Sequence, residues 1–523
     1  MRITMPDQSI FAQRPVARLV LPFDFEPGRL SSMVGALTAT AWPGAERLWQ
    51  SVKPRASYVD ELTPQAESML FAGSGERHAG AHLRVDETLV QRWFQGLVLQ
   101  PERREPVALK IVPEVGIEVF LNGHGGGALS IALELSAKTA AQLLDATYRL
   151  AQRHRRRGDP SSLRIPHPSE DLERWAKIPD AQKAALEAEL SEVPDDAPLS
   201  ARLGRRGARF TLSELAEALL TPLERQGCVL RDGSFLVYTV ARFNAEVEFD
   251  ATDAHPLSGA LVGLSQVEES THAGGGHESV RTVLLNYKHL AAVSAQGAAH
   301  FVADQEGVGF NEERVPRVRD KYFVPYLASI LQRSALRRLN AGIHEILASS
   351  ERSADRLRAL RLALLELGAS GMPTETSTRG AVQRYADTCR SALAIADVYD
   401  RAERGISGIE QVLASKRLED LLEAQRDTAA KSEKNLHAAH QLHAAVAWLE
   451  IFIVTAYTAE ILHLLEQAYA GHGGAPSDDA AAHGAVQATA AGDPMHVLLY
   501  IAVMIFAGGL AAWVLKPWRH GHD

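Results

Sequence analysis

Two carboxylates stand inside an otherwise apolar run of this chain, Glu450 and Glu460 in AAVAWLEIFIVTAYTAEILHLL at 444–465. A charge at mid-bilayer costs roughly 2.5–3.5 kcal/mol on insertion scales and is kept where it faces protein or water. Steps of seven from Glu450 reach His443, Leu436, Ala429 and Leu422 in one direction, and Tyr457 and Leu464 in the other. The companion register holds Leu418, Gln425, Ser432, Ala439, Val446, Ile453 and Glu460. Heptad spacing keeps such side chains on one face of a supercoiled helix. The seam is apolar to small in its first part and polar where lipid contact would require the reverse. His443, Glu450, Tyr457 and Glu460 are therefore the candidate pore-lining residues of a symmetric cation pathway. Snorkelling or interhelical hydrogen bonding of the carboxylates is the alternative reading. His437 and His440 precede His443 at i,i+3 and suit metal or proton binding, with solvated helix surface as their alternative.

The elements around this seam read as a two-helix hairpin. MHVLLYIAVMIFAGGLAAWVL at 495–515 carries no formal charge and is long enough to cross about 30 Å of hydrocarbon. Gly508 with Ala512, and Ala507 with Ala511, give it small-xxx-small pairs for close helix packing. Lys516, Trp518 and Arg519 follow as an anchor of cytoplasmic type, in a basic tail at 516–523. A buried soluble helix is the alternative for 444–465. The loop at 466–494 has Asp478, Asp479 and Asp493 but no lysine or arginine. Charge asymmetry thus places both termini in the cytoplasm and the loop outside, in a multi-pass protein of the cell inner (plasma) membrane. His472, Asp478, Asp479 and His483 in that loop are the candidate metal ligands.

Upstream, a helix starting near Gly380 meets no proline before Pro476, which predicts a stalk on the order of 100 Å if unbroken, with Gly405 and Gly408 as bending points. Residues 320–443 read as a helical stalk region and 1–319 as a cytoplasmic α/β region, divisible near 157–200. Strands are predicted at 17–23, 107–112, 117–121, 129–135, 234–241 and 260–264, and helices at 89–99, 137–155, 170–192 and 212–226. NGHGGG at 122–127 sits between two strand runs and reads as a hairpin loop. No Gly-Lys-Ser/Thr follows to make it a phosphate cradle. HAGGGHES at 272–279 reads as a loop, and the arginines at 153 and 155–157 as a cationic helix end. The expected class is an α+β cytoplasmic domain, a long α-helical stalk and a C-terminal transmembrane hairpin.

The 523 residues carry a net charge of −9, which argues against nucleic acid as a partner. Cys228 and Cys389 are the only cysteines, so neither a disulfide scaffold nor a cysteine zinc site is expected. The first residues, MRITMPDQSIFAQRP, hold no apolar run, so insertion is expected to be directed from the C-terminal end. No P-loop, His-Glu-x-x-His or nucleophile elbow occurs, and an enzyme is not expected.

This layout resembles the CorA-type divalent-cation transporter superfamily. The resemblance covers residues 321–523 best, including KYFVPYLASILQRSALRRLN and AWLEIFIVTAYTAEILHLL, and rests on architecture. It implies a homopentamer whose first spans line the pore. It also implies magnesium or a related divalent ion, here extended to transition metals, as the transported or regulatory cation. The family's Gly-Met-Asn signature is missing: its place reads Leu465-Glu466-Gln467-Ala468-Tyr469-Ala470-Gly471-His472-Gly473. No residue is therefore carried over for ion selection. The expected function is a CorA-like oligomeric cation channel gated by its cytoplasmic domain. The alternative is a membrane-anchored sensor or effector that transports no metal and recognises a cytoplasmic ligand or protein through 1–319.

Overall fold

The computed structural model describes residues 13–71, 79–99, 106–151, 163–165, 176–184, 197–205, 208–230, 235–242, 280–286, 288–303, 308–348 and 354–470, with Leu498, Ile501, Ala502, Ile505, Phe506 and Gly509. The chain divides into two compact units, Met1–Leu413 and Ala414–Asp523.

The first unit is built on a mixed sheet. Its centre is β1 (Val16–Asp24), buried at every position, with β7 (Gly126–Leu135) antiparallel on one edge and β10 (Leu236–Arg242) antiparallel on the other. Beyond β7 the sheet forks. β6 (Ile117–Asn122) pairs with the first half of β7, and β5 (Val107–Ile111) with the second half. β3 (Gly80–Val85) and β2 (Trp49–Ser51) extend the β6 branch, while the short β4 (Val98–Leu99), β8 (Leu163–Arg164) and β9 (Arg209–Phe210) extend the other. On the β10 side lie β13 (Gly297–Val302), β12 (His289–Val293) and β11 (Arg281–Asn286), and β10 with β13 is a parallel pair.

Alternation along β1 sends Ala17, Leu19, Leu21 and Phe23 to one core, and Val16 and Val20 to the other. Both faces are covered, which is why these strands read as unbroken apolar runs. The first core is closed by α1 (Leu30–Thr38), α4 (Glu87–Phe94), α5 (Ala140–Ala151) and α7 (Leu212–Glu224). The short α2 (Ala56–Val59), α3 (Pro64–Phe71) and α6 (Leu199–Arg202) also precede α7 in the chain. Two caps set helix starts: Asp86 accepts from the Thr88 and Leu89 N–H groups, and Thr211 with Glu214 makes a capping box on α7.

The second core is closed by α8 (Val308–Lys321), α9 (Phe323–Ala348), α10 (Ala354–Glu366) with its π-helical end Leu367–Gly371, α11 (Gly380–Ala392) and the start of α12 (Ile395–Ala470). Helices expected to begin a stalk at 320 therefore pack on the sheet, and the compact unit runs on to Leu413.

Three expected elements change. The helix at 89–99 stops at Phe94, because Gln95 turns extended and Gly96 takes φ +72°, so Val98 and Leu99 become β4. The helix at 137–155 is described as Ala140–Ala151. The helix from 380 is broken at Ala394, with φ +52°, a cost on the order of 1 kcal/mol that lets Leu393 and Ile395 both enter the core. Gly405 and Gly408 lie within α12 and do not end it. The strand at 260–264, the loop at 272–279 and the arginines at 153 and 155–157 lie outside the described residues, as does most of the helix at 170–192.

Candidate functional site: the exposed seam of α12 and two buried clusters of the sheet unit

Helix α12 changes character along its length. Ala402, Ile406 and Ile409 are buried in the second core. From Ala414 to Gln441 every residue is exposed, including Leu418, Leu421, Leu422 and Leu436. The helix then becomes apolar enough to cross a membrane, with a window of mean hydropathy 1.6 that is 0% buried. Trp448 at 67% and Phe452 at 73% exposure are side chains that water does not tolerate in such number. Thr455 and Thr458 donate their hydroxyls to the carbonyls of Ile451 and Val454, which satisfies both within the helix.

His443, Glu450, Tyr457 and Glu460 are all exposed on this segment. Ala447, Ile451, Thr455, Ala459 and Leu462 are half-buried instead. At 100° per residue that half-buried stripe is centred roughly 140° around the helix from the four candidate pore residues. The seam therefore faces a different side from the covered stripe. On the second expected span, Leu498, Ile501, Ala502, Ile505, Phe506 and Gly509 are helical and exposed. Gly508, Ala507, Ala511 and Ala512 lie outside the described residues, as do His472, Asp478, Asp479 and His483. Among the described residues no three His, Cys, Asp or Glu side chains stand converged on a metal position.

The glycine loop at 122–127 is a tight connection between β6 and β7. A Cβ on Gly126 would lie 2.2 Å from the Leu331 carbonyl oxygen, and one on Gly127 would lie 2.0 Å from the Phe23 ring. Those two glycines allow α9 and β1 to pack closely against the loop. His124 in the same loop is buried, its Nε2 3.2 Å from Ser370 Oγ. It borders a cleft of about 110 Å³ lined by Pro27, Gly28, Gly123, Leu339, Ala363 and Glu366. That volume falls short of the roughly 300 Å³ at which ligand pockets begin.

Two buried clusters were not foreseen. Arg18, in the middle of β1 and 0% exposed, places Nη1 3.3 Å from Glu118 and donates from Nη2 to Asp320 and to Tyr58, both at 2.9 Å. Tyr58 donates on to Glu118 at 3.0 Å, and His82 Nε2 lies 3.1 Å from the other oxygen of Glu118. Arg319 meets Asp320 at 2.8 and 3.0 Å, Ser57 donates to it at 3.1 Å, and the Arg18 guanidinium sits 4.1 Å over the Phe323 ring. Burial alone would raise the Glu118 and Asp320 carboxyls. His82, Arg18 and Tyr58 outweigh it at Glu118, and the Arg319 hydrogen bond with Arg18 at Asp320, so both lie below the usual range. The cluster ties β1, β3, β6 and α2 to the junction of α8 and α9. Its charges are paired with one another, which makes it a clamp, while Arg18 Nε and His82 Nδ1 are buried without a hydrogen-bond partner among the described residues.

The second cluster runs from His289 Nε2 to His300 Nδ1 and from His300 Nε2 to the Tyr385 hydroxyl, each at 3.0 Å. Burial, and then His289, hold the His300 imidazole well below its ordinary value, so it is neutral and anchors α11 to β12 and β13. With this geometry in hand, comparison finds no matching family model, no matching curated protein and no matching solved structure.

Proposed function

We propose that the chain is an oligomeric, CorA-like cation channel of the inner (plasma) membrane, its first span formed by the end of α12 and its ions passing the seam His443, Glu450, Tyr457 and Glu460. One observation carries the reading: the carboxylate-bearing face of α12 is exposed while a stripe on the other side is half-buried. An arrangement with the seam inward around a symmetry axis gives each carboxylate water and ions instead of lipid. The exposed stalk leucines Leu418, Leu422 and Leu436 then pack against the same face of neighbouring copies. The sheet unit Met1–Leu413 serves as the cytoplasmic regulator, and the run at 495–515 as the second span. The acidic external loop concentrates cations at the outer mouth. Five copies and a divalent ion belong to this proposal through the resemblance, and both termini in the cytoplasm through the charge asymmetry of the hairpin.

Flux through purified protein in liposomes tests it. Wild type is expected to pass divalent or monovalent cations, and Glu450→Gln and Glu460→Gln each to lower the rate by about tenfold or more as local cation enrichment is lost. Flux equal to that of protein-free liposomes under both kinds of gradient would overturn the proposal.

A further inference from the structure

The chain of contacts through His289, His300 and Tyr385 sits where α11 is attached to the sheet, and α11 leads through Leu393 and Ala394 into α12. The helix buries Val382, Tyr385, Ala386 and Cys389. The other hydrogen bonds of its side chains stay local: Gln383 and Arg390 bind the preceding segment at 373–377 and Asp387. Among the described residues, Tyr385 to His300 is the one side-chain hydrogen bond from α11 to the sheet. His300 is 0% and His289 2% exposed. A proton added to either imidazole would have no anion to meet. Strand β10 presents Tyr238, the junction of α8 and α9 presents Tyr322, and α11 presents Tyr385 and Cys389. Burial keeps the Tyr238 and Tyr385 hydroxyls and the Cys389 thiol protonated. Asp320 at the same junction is taken up by Arg18 and Arg319, and Asp387 by Arg390. Lys321, 5.7 Å over the Tyr322 ring, and Lys288, beside His289 in the chain, add positive charge.

We propose that the His289–His300 pair is an acid-released latch: neutral, it holds α11 to β12 and β13 through Tyr385, and protonated it lets that helix go while the rest of the sheet unit stays folded. A neutral imidazole donates from one nitrogen and accepts at the other, which suits the two links of His300. With both rings protonated, an N–H would point at an N–H across the 3.0 Å link, and that link breaks. Burial, and then His289, hold His300 well below its ordinary value, so the folded pair binds fewer protons than the released one. The attachment is therefore complete above the ordinary histidine value near about 6.5 and weakens as pH falls below it. The latch lies within Met1–Leu413 and stands whether or not the channel proposal does.

Amide hydrogen exchange of the full-length protein in detergent, followed by mass spectrometry and corrected for the intrinsic effect of pH on exchange, tests it. Between about pH 7.5 and 5.5, protection of α11 in wild type is expected to fall about tenfold for each imidazole that takes up a proton on release. Helix α7, on the other face of the sheet, should keep its protection. His289→Gln/His300→Gln should lose the acid step in α11. Tyr385→Phe, which removes the link but leaves both imidazoles buried, should lower α11 protection at both pH values and keep the acid step. Circular dichroism reports whether each variant is folded, and the wild-type series decides the matter without them. Wild-type α11 protection that is the same at both pH values, or that falls together with that of α7, would overturn the latch. So would an acid step of full size in the folded double variant.

Discussion

Arg18→Met is expected to destabilise the unit Met1–Leu413 by about 3–5 kcal/mol, because it strands Glu118 and Asp320 in a site built for charge. Against a typical total of roughly 5–15 kcal/mol, that is a large fraction of the stability of a domain. Denaturant melts of the two proteins measure it directly. The same experiment against pH checks the mechanism. Glu118 and Asp320 both titrate below their ordinary values in the folded protein. Their contribution is complete above the unfolded carboxyl values near about 4 and is lost as pH falls through the folded values. Wild type should therefore lose stability in acid faster than Arg18→Met, and the gap between them should narrow below about pH 4. A gap that stays constant into acid would show that Arg18 acts by packing alone.

Ending the chain after Leu413 is expected to convert a protein that needs detergent into one that dissolves in buffer. Both hydrophobic cores lie wholly before that point, so the fragment keeps its folding energy. What it loses is the exposed apolar end of α12, with Trp448, Leu449, Phe452, Val454 and Ile461 each more than half exposed. Every such side chain left in water forgoes about 1.5–3 kcal/mol of burial. The fragment should melt in one cooperative transition, while the full chain sediments with membranes and is released by detergent. A full chain that stays in the supernatant without detergent would contradict the membrane reading of α12.

Strands β1, β6 and β7 were legible because branched and apolar residues dominate where both faces of a sheet are covered, and β5 from its alternation of buried apolar with exposed positions. The hairpin loop at 122–127 was legible from its glycines. The overrun of α4 was avoidable, since Gly96 marks the turn that ends it. Nothing in Leu393-Ala394-Ile395 signals the break before α12, which exists only because two flanking side chains reach the core. The heptad period of the proposed seam is local to one helix and so is visible in the sequence alone. The Arg18 clamp could not, because Arg18, Tyr58, His82, Glu118 and Asp320 are scattered over three hundred positions of chain. A trace of it was nonetheless present: Arg18 in VARLV and Glu118 in IEVFL are single charges inside apolar strands. Opposite charges so placed are resolved by pairing across the sheet.

In the proposed assembly of identical chains, the carboxylate face of α12 is turned inward around a symmetry axis. The subunit number and symmetry of the full-length protein in detergent, read from single-particle images, test that most directly. A closed five-fold ring with Glu450 and Glu460 innermost is the predicted result. A monomer, or a dimer with those residues facing outward, would contradict it.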